Sequence, residues 1–180
     1  MSDSLHALQL RDQRVLPALA HILLLGIVYL LTRRVPSITP IFLPWAVIVV
    51  LIMLARAVLW GQLAAASRRT IAIVVRTTML VLGLTWGIGV GLVSRVIPAV
   101  TTSLLLLGLA GLLAGALTTL MTDRWAFTIY AVALFLPVAV ALAVWGTGEV
   151  RDFEILLVAM FVAFTSRLHA RTHAMLVQRL

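Results

Sequence analysis

Six apolar stretches, each bounded by arginine, proline or acidic residues, constrain this sequence more than any other feature. They fall at about residues 15–32, 41–60, 70–93, 97–121, 125–145 and 153–167. The hydrocarbon core of a bilayer is about 30 Å thick, so a helix rising about 1.5 Å per residue needs roughly 20 apolar residues to cross it. Five of the runs are close to that length, and the sixth, at about 15 residues, is the shortest. With 63% hydrophobic and 11% charged residues and a mean hydropathy of +1.15, the chain lacks the polar residues that would cover a water-facing surface. The expected fold is therefore all-α: an integral membrane bundle of six transmembrane helices, with a bilayer as its solvent. Short links between the runs make neighbouring helices antiparallel and leave a single domain at 15–167, between a polar segment at 1–14 and an exit helix at 168–180.

Orientation follows from arginine, because cytoplasmic loops retain positive charge during insertion. Placing the amino terminus inside puts ten arginines on inner flanks and only Arg33, Arg34, Arg95 and Arg151 on the outer side. Both termini are thus expected in the cytoplasm, with Glu149, Asp152 and Glu154 forming a small acidic group outside. Trp60, Trp125 and Trp145 fall at span ends, where an aromatic belt would put them. The net charge of +8 comes wholly from arginine and is spent at helix ends, so no nucleic-acid partner is expected. The polar start, MSDSLHALQLRDQR, leads into an apolar run without a small-residue cleavage site, and no removable signal peptide is read there.

Few residues suggest chemistry. The absence of cysteine removes disulfides, thiolate metal sites and cysteine nucleophiles. Gly83, Gly87 and Gly91 recur every four residues on one face of the third helix, and Gly108, Gly111 and Gly115 give the fourth a second small-residue face. Such faces let helix backbones approach closely, and packing within the bundle is preferred to a dimer seam. A charge at mid-bilayer costs roughly 2.5 kcal/mol or more, so Arg56 and Arg76 stand out. Both lie near a span end, however, from which a guanidinium can snorkel to water. Arg76 with Thr77 and Thr78 is the better candidate for an anionic ligand or headgroup. Thr85 and Trp86, with Glu154 and its acidic neighbours beyond them, could wall a pocket near the outer mouth. His21, the one histidine within an apolar run, is read as an interhelical hydrogen-bonding residue; without a buried partner histidine no haem is expected. His169 and His173 could share a metal, but with no third ligand nearby they are read as a solvated juxtamembrane face. Pro137 could free a carbonyl in the fifth helix. No cofactor, metal or catalytic site is expected.

Beyond the sixth run, SRLHARTHAML continues a helical pattern without Gly or Pro, as a transmembrane helix does when it leaves the membrane. Together with ARAVLWGQLAAASRR in the second helix, LGLTWGIGVG in the third, LAGLLAGALTTL in the fourth and the proline-bearing AFTIYAVALFLPVAVAL in the fifth, it resembles the amino-terminal membrane input domain of bacterial sensor histidine kinases and diguanylate cyclases. That resemblance implies a sensory module of a bacterial inner membrane, working as a homodimer on a small-molecule or lipid signal. It implies that the signal passes through the sixth helix, along Arg167, His169 and Arg171, toward a kinase or cyclase domain expected to follow the chain. A six-helix substrate-binding subunit of a vitamin-type importer is the alternative, and a stand-alone assembly protein is a third.

Overall fold

The computed structural model describes residues 18–62, 66–120, 123–146 and 148–177. Those residues are helical throughout: α1 (Ala18–Thr32), a 3-10 turn (Pro36–Ile38), α2 (Thr39–Gln62), α3 (Arg68–Ser94), α4 (Ala99–Thr119), α5 (Arg124–Trp145) and α6 (Gly148–Val177). Five of the six helices are long and apolar enough to cross a membrane, and the described part of α1 is shorter. The chain is in this sense a multi-pass membrane protein. The segment 1–14 and the last three residues lie outside the described part.

Breaks between helices occur where the sequence supplies caps or stops. Ser67 accepts the amide of Thr70 at 3.2 Å to start α3, and Asp123 accepts the amide of Ala126 at 3.0 Å to start α5. Pro98, which cannot continue a ladder, precedes α4. The expected sixth span of 153–167 is only the middle of α6, whose 30 residues extend about 45 Å, half as long again as a hydrocarbon core.

The most extensive helix contact joins α3 to α5, and glycine makes it. A Cβ at Gly83 would sit 2.8 Å from Ala133 Cβ, one at Gly87 would sit 2.5 Å from Leu134 O, and one at Gly91 would sit 3.0 Å from Ala141 Cβ. The partner residues ascend with the glycines, so the two helices run parallel. Pro137 has no N–H to give Ala133 O, and that freed carbonyl faces the backbone of Gly87. Weak Cα–H···O contacts suit such an approach. The same helices meet at both ends of the seam. Arg76 Nε and Nη2 reach Asp123 at 3.1 and 3.2 Å, and Arg95 lies 5.3 Å over the Trp145 ring. Gly83, Gly87 and Gly91 thus all lie against α5. In α4 only Gly108 meets a neighbour, Leu24 of α1, whereas Gly111 and Gly115 face open space.

An aromatic column binds α1 and α2 to this pair. Phe42 meets Trp45 edge-on at 5.9 Å, Trp45 meets Trp86 at 5.1 Å, and Trp86 stacks with His21 at 5.7 Å. Trp45 also donates from Nε1 to Thr85 O at 2.9 Å, and its indole covers Gly89 so closely that a Cβ there would overlap the ring.

A methyl at Gly87 meets backbone oxygen and cannot be absorbed by a side-chain shift. Gly87→Ala is expected to cost about 1–3 kcal/mol, the usual penalty of overpacking. Gly111→Ala, where nothing lies within 4 Å, should stay within about 0.5 kcal/mol of the parent. Reversible unfolding in mixed detergent micelles measures both.

Candidate functional site

At the end of the bundle where α2 and α4 finish and α3 and α5 begin, a cavity of about 160 Å³ opens between the helices. Most of its wall is apolar, from Ala20, Met79, Leu82, Leu112 and Ala116. Five side chains with polar groups line it: His21, Arg56 and Tyr130 on the inner wall, and Thr118 and Thr119 toward the helix end. Gly111 and Gly115 form an exposed rim on α4, with Thr118 and Thr119 one turn further along. The missing side chains of the two glycines are what leaves the mouth open.

The polar members of the inner wall are deeply enclosed. Arg56 is 8% exposed and His21 4%. Snorkelling, expected for Arg56 from its nearness to a span end, does not occur: α2 turns this residue into the bundle. Among the described residues no carboxylate is left for it, since Asp123 holds Arg76, Asp152 holds Arg151 and Glu154 accepts from Ser103. The interhelical hydrogen bond expected of His21 is also not formed. Its Nδ1 is buried without a partner, as is Nε1 of the stacked Trp86. Polar groups left unpaired in a low-dielectric interior cost more than they do in water, and they attract whatever can satisfy them.

The residues singled out from sequence are dispersed. Arg76 is taken by Asp123, Thr77 is exposed, and Thr78 bonds back to its own helix at Val74 O and Val75 O. Thr85 lines an open apolar groove of about 560 Å³ between α2 and α3, while Trp86 is fully buried in the aromatic column. Glu154 does not join them. It is 5% exposed on the opposite side, accepts the Ser103 hydroxyl at 2.7 Å, and borders an apolar cavity of about 360 Å³ between α4, α5 and α6. The expected outer acidic group therefore divides: Asp152 is exposed beside Arg151, Glu154 is buried, and the Glu149 side chain lies outside the described residues.

On α6, Arg167 and Arg171 are exposed, but His169 is 1% exposed. This corrects the reading of the His169 and His173 pair as a solvated face. The His169 ring lies flat on Phe127, 4.2 Å between centroids and 3° from parallel, and its Nε2 is 3.0 Å from Leu120 O. His173 stacks on His169 at 6.3 Å. Among the described residues, no three His, Cys, Asp or Glu side chains gather to hold a metal. Leu120 and Phe127 flank the turn from α4 to α5, next to Thr118, Thr119 and Tyr130 of the cavity. Cavity and α6 thus share one corner of the fold. Compared with family models, curated proteins and solved structures, the chain matches none.

Asp123 has two roles that substitution separates. Asp123→Asn keeps an acceptor for the Ala126 amide and loses only the partly exposed ion pair with Arg76, so it should cost about 0–1 kcal/mol. Asp123→Ala loses the cap as well and should cost about 1 kcal/mol more. Unfolding midpoints of the two variants in one detergent mixture decide the point.

Proposed function

We propose that the chain is a membrane-embedded input module for signalling, in which the packing of the bundle around its cavity is passed on as a movement of α6. The observation that supports this most is the pin at His169, where α6 is held through a buried ring to the same α4–α5 corner that walls the cavity. A small change in that wall alters the seat of His169, and a helix responds to such a change by shifting as a rigid rod. Shifts of about 1–2 Å at packed helix interfaces are a common form of switching. Nearer its start, α6 is held by Glu154 and Ser103, and between the two attachments it borders an apolar cavity rather than close packing. That arrangement leaves it room to move.

In the orientation favoured by the arginine bias, both termini face the cytoplasm of a bacterial cell and the His169 end of α6 emerges there. A kinase or cyclase attached to α6, working as a homodimer, would read the shift. A ligand moves such an equilibrium only by its differential affinity for the two packings.

The test uses the natural lack of cysteine to place spin labels at the exposed positions Trp125→Cys and Met175→Cys. Filling the cavity with Gly115→Leu should shift the distance between the labels by about 1–2 Å. The shift should vanish when His169→Phe removes the bond to Leu120 O while keeping a ring on Phe127. A distance that ignores Gly115→Leu contradicts the relay, and radiolabelled solute uptake by the same protein in vesicles would favour an importer subunit.

A further inference from the structure

The cavity beside α4 has a polar composition unlike that of a packing defect. An accidental void in a membrane bundle is lined by apolar groups, which lose nothing by being unpaired. Here the inner wall carries a cation that is nine-tenths buried and has no carboxylate partner among the described residues. Beside it are a phenol and an imidazole whose Nδ1 is buried without any partner. Every fixed charge in this wall is positive. A guanidinium offers a planar fork of donors matched to two oxygens of one group. The complement of such a wall is an oxyanion, since a neutral guest can accept a hydrogen bond from Arg56 but leaves its charge unbalanced.

Size and access narrow the class further. An apolar cavity of about 150 Å³ holds a benzene ring, so about 160 Å³ accommodates an anionic head with a short apolar body. Its rim at Gly111 and Gly115 lies on the side of α4, in a helix whose length and hydropathy suit it to lipid. Entry is thus lateral, from the bilayer side. Arg56 precedes the end of α2 by six residues, which is about 9 Å along the helix. The guanidinium therefore sits within about two turns of the helix end, within reach of the anionic group of a molecule that enters from that end of the bilayer.

From this geometry we infer that Arg56, His21 and Tyr130 form a binding site for a small oxyanion borne on an apolar body, entering from the membrane between Gly111 and Gly115. The anion is a carboxylate or phosphate, carried either by a free amphipathic acid or by a phospholipid of net negative charge, whose phosphate has no choline cation to balance it. The inference names the ligand chemistry for the cavity invoked in the relay, but it is measured by binding alone, so the two can fail separately.

The experiment is calorimetric titration of benzoate into the full chain in phosphatidylcholine nanodiscs, with benzyl alcohol as the uncharged match. Saturable benzoate binding is expected, with benzyl alcohol roughly tenfold weaker or worse, since bonds to an ionised acceptor are about twice as strong as neutral ones. Arg56→Gln should weaken benzoate by roughly tenfold or more, Arg56→Lys by less. Gly115→Leu, which leaves Arg56 in place and puts bulk in the mouth, should abolish binding. Repeating the titration with phosphatidylglycerol in the discs separates the sources: a phospholipid ligand raises the apparent benzoate Kd in the parent, and a free acid leaves it unchanged. Benzoate binding that survives both Arg56→Gln and Gly115→Leu, or equals that of benzyl alcohol, overturns the inference, as does absence of saturable binding by benzoate and phosphatidylglycerol alike.

Discussion

Two helix backbones can touch only where one of them has no side chain at the crossing, and the α3–α5 contact meets that condition three times in succession. In lipid there is no hydrophobic effect to draw helices together, so association rests on close van der Waals contact and on polar groups that would otherwise be unpaired. Gly83, Gly87 and Gly91 provide the first along the middle of the seam. Arg76 with Asp123, and Arg95 with Trp145, hold its two ends. Once this parallel pair is formed, the position of every other helix is set relative to it. The aromatic column places α1 and α2, and the α4–α5 turn fixes where α6 can lie.

Close packing in one place is accompanied by openness in another. Gly111 and Gly115 are chemically identical to the α3 glycines, yet among the described residues no helix covers them, and the cavity wall behind them contains the buried charge of Arg56. With no carboxylate partner among the described residues, that guanidinium is costly to enclose, whereas Arg76 at the end of the α3–α5 seam has Asp123. Seam and polar cavity both adjoin the α4–α5 corner, where His169 of α6 packs on Phe127 and meets the Leu120 carbonyl.

Much of this was legible in the sequence, and the reasons for the rest are specific. Helix number and approximate bounds follow from the bilayer's demand for length and apolarity, which acts on each segment separately. The glycine face of α3 shows itself by spacing, but its partner does not, because α5 is apolar all round and no stripe marks the side that meets Gly87. Arg56 reads as an interfacial snorkeller since its distance from a helix end is visible and the enclosure by α1, α4 and α5 is not. His169 has polar neighbours along the chain and is buried only because Phe127 and the Leu120 carbonyl come from a turn some 49 residues away. Glu154 likewise looks like part of an acidic group with Asp152, and helical rotation sends the two to different sides. In each miss, a residue's depth was readable and its neighbour in space was not.

The parallel seam is tested most directly by cross-linking, which the lack of native cysteine makes clean. Cysteines introduced in pairs at Arg76 and Asp123, and separately at Arg95 and Trp145, are treated in membranes with a short thiol-specific linker. Both pairs are expected to join, while the crossed pair of Arg76 and Trp145 does not. Joining of the crossed pair, or of neither matched pair, would contradict the seam and the bundle built on it.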